Sequence, residues 1–147
     1  FVPHVLSPSE EDNDFQFMKK IRDFMHYKDH IVIADTSKGF MGVKESLSQC
    51  YVVAAARMHC AINAIDENVP VVFLSYSQKS IGMCKYIYGS GKMLIDLKNI
   101  ETELVDKIVN IIEQSEQISK SIAKRNDEIR QYYEANIAQV KEIITFE

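Results

Sequence analysis

Arg57 and His59 are the residues of this chain whose types and spacing suit chemistry on an anion. They follow the apolar run Tyr51–Ala56 within the segment SQCYVVAAARMHCAINAI. A second cluster, Ser75-Tyr76-Ser77-Gln78-Lys79, follows the apolar run Pro70–Leu74. Arginine presents a planar fork of donors that matches a carboxylate or a phosphate. Histidine exchanges a proton near neutral pH. Arg57 and His59 are therefore the catalytic candidates. With Ser75, Tyr76, Ser77, Lys79 and His4 they make the candidate substrate-binding set. Lys79 would sit in the first turn of a helix, where a cation opposes the helix dipole unless an anion lies beside it. A structural alternative stands for each: Arg57 paired with a local aspartate, His59 and Ser77 as helix caps, Lys79 solvated, His4 satisfied in the fold.

The elements that position these residues follow from the apolar runs. An unbroken apolar run bounded by polar clusters reads as a strand buried on both faces of a parallel sheet. In such sheets ligands bind where strands end and helices begin. Both clusters fall at that edge. Strands are expected at Phe1–Leu6, His30–Ala34, Tyr51–Ala56, Pro70–Leu74 and Lys92–Ile95. Pro3 fits an edge position for the first of them. Helices are expected at Phe15–Lys28, Val43–Gln49, His59–Glu67 and Ser77–Tyr88. Ser9 or Asp12 is a candidate cap for the first helix, and Lys38–Gly42 reads as a loop. The fold class is thus α/β, a Rossmann-like three-layer parallel sheet of about five strands with right-handed crossovers. From Leu104 onward apolar residues recur at helical spacing through residue 144, with Ser115 and Arg125 on the same stripe. That is a long C-terminal helical tail, or two helices with a break near Gln114–Gln117.

Other chemistries are poorly served. His26 and His30 are four apart, a metal-binding spacing on a helix face, but no third ligand stands at a fixed spacing, so no metal is expected. Cys60 neighbours His59, yet adjacent helical residues point about 100° apart, and a core role suits Cys60 better. The sequence has no GxGxxG, Walker or GxSxG motif, and the glycines of KGFMG are too few for a phosphate cradle.

The bulk properties set outer bounds. A chain of 147 residues with 46% hydrophobic and 26% charged content is one ordinary globular domain. A net charge of -4 argues against binding nucleic acid through a general basic surface. No apolar run approaches the length of a membrane span. Three cysteines without CxxC spacing suit a reducing compartment, so a cytoplasmic location is expected. The opening Phe1-Val2-Pro3-His4-Val5, without an initiator methionine, is what a domain cut from a longer polypeptide would show.

SQCYVVAAARMHCAINAI and VPVVFLSYSQKSIGM, with PHV near the start as a weaker match, resemble the polysaccharide pyruvyl transferase family. The resemblance implies the C-terminal half of a two-domain, GT-B-like enzyme. It implies transfer of a pyruvyl group from phosphoenolpyruvate to sugar hydroxyls as a ketal, in polysaccharide biosynthesis. It also implies that Arg57 and His59, as the family's RxH motif, belong to the phosphoenolpyruvate site. Phosphoenolpyruvate would be the donor substrate, with no separate cofactor. The expected organisation is a domain over 1–100 and a helical tail over 101–147, packing on that domain or on the N-terminal domain of the same polypeptide. The expected partners are phosphoenolpyruvate, a saccharide acceptor and that N-terminal domain, with a homo-oligomer through the tail as a further possibility. A transferase missing its other half is expected to be inactive as an isolated fragment. Two other readings remain open: a GT-B-like glycosyltransferase domain holding a nucleotide sugar, and a non-catalytic α/β binding domain.

Overall fold

A computed structural model describes residues 1–35 and 37–145. Phe146, expected to extend the apolar stripe of the tail, lies outside the described residues. The chain forms α1 (Asp14–Phe24), α2 (Gly39–Ser48), β1 (Val53–Ala55), α3 (Met58–Asp66), β2 (Val71–Ser75), α4 (Gln78–Tyr88), β3 (Leu94–Asp96), α5 (Ile100–Glu113) and α6 (Ser115–Thr145). The strands make a parallel sheet in the order β1-β2-β3. Val53 pairs with Val71 and Ala55 with Phe73, while Phe73 also pairs with Leu94 and Ser75 with Asp96. The fold is mixed α/β.

Alternation along β2 sends its side chains to two separate cores. Val71 and Phe73 join Val43 and Leu47 of α2, Ala61, Ala64 and Ile65 of α3, Cys84 of α4 and Ile122 of α6. Val72 packs with Ile95 of β3 and Ile111 of α5 on the other side. A strand covered on both faces has no room for polar residues, which is why Val71–Leu74 reads as a continuous apolar run. Small Ala61 and Ala64, both fully buried, let α3 lie close to the sheet.

The expectation of about five strands is corrected to three among the described residues. Phe1–Leu6 and residues 31–35 form no strand of the sheet. They meet only at one end, where the Phe1 amine donates to the Val32 carbonyl at 2.7 Å and Ala34 N–H donates to the Phe1 carbonyl at 2.8 Å. The ladder stops there for a physical reason. Pro3 has no N–H, and the N–H groups of His4 and Val5 are taken by the Asp14 carboxylate. The first helix is capped by Asn13, whose side chain accepts from Gln16 N–H, and not by Ser9 or Asp12.

The expected loop over Lys38–Gly42 is instead the start of α2. Gly39 takes φ +62°, and a Cβ on Gly42 would stand 2.7 Å from the Lys38 Cβ. Those glycines serve the helix entry.

The tail breaks at Gln114, between α5 and α6. The first half of its apolar stripe is core: Ile111 and Ile122 are buried, and Leu104 and Ile118 pack against them. Arg125 lies on the same stripe without breaking it, because its guanidinium stacks on the Tyr86 ring at 4.7 Å and donates to the Tyr86 carbonyl. Asn126 donates to the Ile65 carbonyl at 2.8 Å, fixing α6 to the end of α3. Beyond it Tyr132, Ile137, Val140 and Ile144 are exposed. No described helix is long and apolar enough to cross a membrane.

Candidate functional site

β1 and β2 are parallel neighbours, so their C-terminal ends open on the same edge of the sheet. Each strand feeds directly into a helix there, α3 after β1 and α4 after β2. Arg57 holds the N-cap position of α3 and Ser77 that of α4, and neither side chain caps its own helix. A helix start leaves backbone N–H groups without intrahelical partners and a partial positive charge. Two such starts therefore point at one place.

A cavity of about 530 Å³ lies between them. His4, Arg57, His59, Tyr76, Ser77 and Lys79 all line it. The structure thus brings together every candidate except Ser75. That residue is buried within β2, and its hydroxyl donates to the Ser77 carbonyl at 3.2 Å, which ties down the strand-to-helix turn. The Ser77 hydroxyl lies 3.4 Å from that of Ser80, another lining residue. Lys79 stands in the first turn of α4, a cation at the positive end of the helix.

The charge structure is set by Asp14, which composition and spacing did not single out. Its carboxylate is nearly buried and divides its work between its two oxygens. Oδ2 accepts from the N–H groups of His4 and Val5 at 3.1 and 2.9 Å. Oδ1 accepts from Arg57 Nε at 3.3 Å and Nη2 at 2.8 Å. Burial works against the carboxylate, but the hydrogen bonds from Arg57, Val5 and His4 outweigh it, so Asp14 titrates below the usual carboxylate value. Two of the five guanidinium N–H groups go to Asp14 among the described residues, leaving three on a side chain that is 47% exposed.

His4 is half-buried. Its Nδ1 lies 3.3 Å from the Val2 carbonyl and its Nε2 3.5 Å from the Asn63 side chain. Burial pulls its pKa below 6.5 against the opposing effects of the Val2 carbonyl and Asp14, and the neighbouring His59 lowers it further. Asn63 follows His59 by one helical turn, a spacing that shares a helix face. Phe40 also lines the cavity, from α2. Asn63 and Ser80 were not singled out from the sequence, although their one-turn spacing from His59 and Ser77 is a signal that could have found them. Asp14 and Phe40 carried no such signal, because only the tertiary fold brings them here.

Cys60 and His59 are adjacent on α3 and diverge. Cys60 is buried in the core, where burial pushes its thiol up to about 11. A neutral, buried thiol is a poor nucleophile. His26 and His30 each pack near Tyr27, with ring centroids 4.8 and 6.4 Å away. Among the described residues no cluster of three or more His, Cys, Asp or Glu side chains is placed to hold a metal.

No protein-family model matches the chain, and no solved structure matches it. The chain is similar to the amylovoran biosynthesis protein AmsJ of Erwinia amylovora, with 23% identity over 111 residues. The match covers 74% of this chain and 26% of that relative, so the chain spans about a quarter of the relative's length.

Proposed function

We propose that this chain is the donor-binding part of a polysaccharide pyruvyl transferase, acting in polysaccharide biosynthesis and taking phosphoenolpyruvate as donor. The observation that carries the reading is the convergence of two uncapped helix starts, Arg57, His59 and Lys79 on one cavity. Phosphoenolpyruvate carries a phosphate and a carboxylate, and this edge offers donors and positive charge for both. The resemblance at the RxH segment and the similarity to a relative named for amylovoran biosynthesis support the same reading.

In this mechanism Arg57, the helix starts and Lys79 hold the donor. A proton goes to the methylene carbon C3, leaving a cationic centre at C2. One sugar oxygen bonds to C2. The C2–O bond to phosphate then breaks, and a second sugar oxygen bonds to C2 to close the ketal. The two hydroxyl protons given up balance the proton gained at C3 and the proton carried by the released phosphate. His59, which lines the cavity, is assigned the acid–base role in this reading. The remaining partners of the proposal are a saccharide acceptor and an N-terminal domain of the same polypeptide, working in the cytoplasm.

The exposed rings of Tyr76 and Phe40 on the cavity wall favour one second reading, since an aromatic surface suits the base of a nucleotide sugar. Titration of the full natural polypeptide separates the two. Saturable binding of phosphoenolpyruvate, and its conversion to phosphate in the presence of a saccharide acceptor, is the expected result. Binding of a nucleotide sugar without binding of phosphoenolpyruvate overturns it.

A further inference from the structure

We propose that Asp14 is a positioning residue for the anion site, holding one edge of the Arg57 guanidinium so that its remaining N–H groups face the cavity. The inference rests on the reading of that cavity as an anion site. Its basis is geometric. An arginine that is half exposed has many rotamers, and freezing them on binding costs affinity. Here the Nε and Nη2 edge is already tied to Asp14 Oδ1. The tie is anchored in turn, because Asp14 Oδ2 takes the His4 and Val5 N–H groups, and Asp14 N–H donates to the Val5 carbonyl at 2.9 Å. One carboxylate therefore fixes both the arginine and the segment that carries His4 to the cavity wall.

The partition of contacts supplies a clean variant. In Asp14→Asn the amide oxygen can still accept from His4 and Val5 N–H. Its NH2 group then faces Arg57, donor against donor, so the hold on Arg57 is lost while the chain segment keeps its partner.

The test uses the full natural polypeptide, with Arg57→Ala, Asp14→Asn and the double variant, titrated with phosphoenolpyruvate, a nucleotide sugar and inorganic phosphate. A second readout is the heteronuclear NOE of the Arg57 Nε–H, assigned by its loss in Arg57→Ala. The expected result has three parts. Asp14→Asn weakens phosphoenolpyruvate binding by about 10-fold or more. The double variant is no weaker than Arg57→Ala alone. The Nε–H is rigid in the parent and mobile in Asp14→Asn. Unchanged affinity, or an equal loss in the Arg57→Ala background, overturns the proposal. If Asp14→Asn does not fold, the parent decides: a mobile Nε–H overturns the proposal, and a rigid one supports it. Binding of phosphate or a nucleotide sugar but not phosphoenolpyruvate overturns the pyruvyl transferase reading alone, and the same Asp14→Asn loss against that ligand supports the positioning role. A parent that binds none of the three anions overturns both.

Discussion

Arg57 and Asp14 are 43 residues apart in sequence, yet Arg57 Nη2 stands 2.8 Å from Asp14 Oδ1. The pair is asymmetric: the aspartate side chain is 12% exposed and the arginine 47%. Asp14 belongs to the framework, while Arg57 keeps an open side. A fully exposed pair would contribute little to stability. Here removal of the arginine takes the cationic partner from a nearly buried carboxylate.

Arg57→Ala is therefore expected to act twice. On the proposed reading, loss of a charged hydrogen-bonding group is expected to weaken phosphoenolpyruvate binding by about 1.5–3 kcal/mol. Asp14, left with the His4 and Val5 N–H groups but without its cationic partner, is also expected to lower the thermal midpoint. Calorimetric titration and thermal melts on the same preparation check both. Unchanged affinity with a lowered midpoint would leave Arg57 as a structural residue alone.

His59→Ala is expected to lower turnover by about 100- to 10,000-fold, the usual worth of general acid–base catalysis. Its effect on phosphoenolpyruvate binding is expected to be much smaller. Single-turnover rates and equilibrium titration separate the two quantities. Equal losses in both would make His59 a binding group.

His4 ties stability to pH. Its folded-state pKa lies below its ordinary 6.5 because of burial, so the folded protein binds fewer protons there than the unfolded chain. The contribution is fully present above 6.5 and is lost as pH falls through the folded-state value. Asp14 adds a second loss at lower pH, since its folded-state value lies below 3.8. Denaturant midpoints measured from about pH 8 down to about pH 5 are expected to fall. His4→Gln is expected to flatten that slope, and an unchanged slope would remove His4 as its source.

The central strands, the helices after them and the placing of Arg57, His59, Tyr76, Ser77 and Lys79 at one sheet edge were legible because each is a local pattern, whereas His4 joins them through the tertiary fold. Val71–Leu74 is apolar because both faces are covered, and a polar cluster must follow where the strand leaves the sheet. Two things were not legible. The segments at Phe1–Leu6 and after His30 look like strands, but whether they join a ladder depends on which partner takes their N–H groups. Asp14 took those of His4 and Val5, a contact without local signature. Asp14 itself lies in an acidic run that reads as solvated surface. Only folding shows that one of those carboxylates is buried beneath Arg57.

The cysteine beside the candidate acid–base group is expected to be silent. With its thiol pushed up to about 11 by burial, Cys60 holds almost no thiolate at neutral pH. Mass spectrometry after brief alkylation of the folded protein is expected to find label on the partly exposed Cys50 before Cys60 or Cys84. Cys60→Ala is expected to keep phosphoenolpyruvate binding and turnover in the folded fraction. Loss of turnover at unchanged stability would reopen a Cys–His pair.

The tail has two regimes. Ile118 and Ile122 are built into the core, and Asn126 holds the Ile65 carbonyl. Past that anchor Tyr132, Ile137, Val140 and Ile144 of the stripe are exposed. A helix gains most of its stability from packing an apolar face, so the exposed part must fray sooner. Hydrogen exchange on the isolated 147-residue chain is expected to show protection along α6 through about Asn126 and faster exchange beyond it. Ile122→Ala is expected to cost about 2–5 kcal/mol, as for other buried large-to-small changes. The exposed stripe is also expected to drive self-association of this chain, seen by light scattering as a mass that rises with concentration, and Val140→Glu is expected to suppress it. Uniform protection to the end of α6 in a strictly monomeric chain would show that the second half of the helix is stable without a partner.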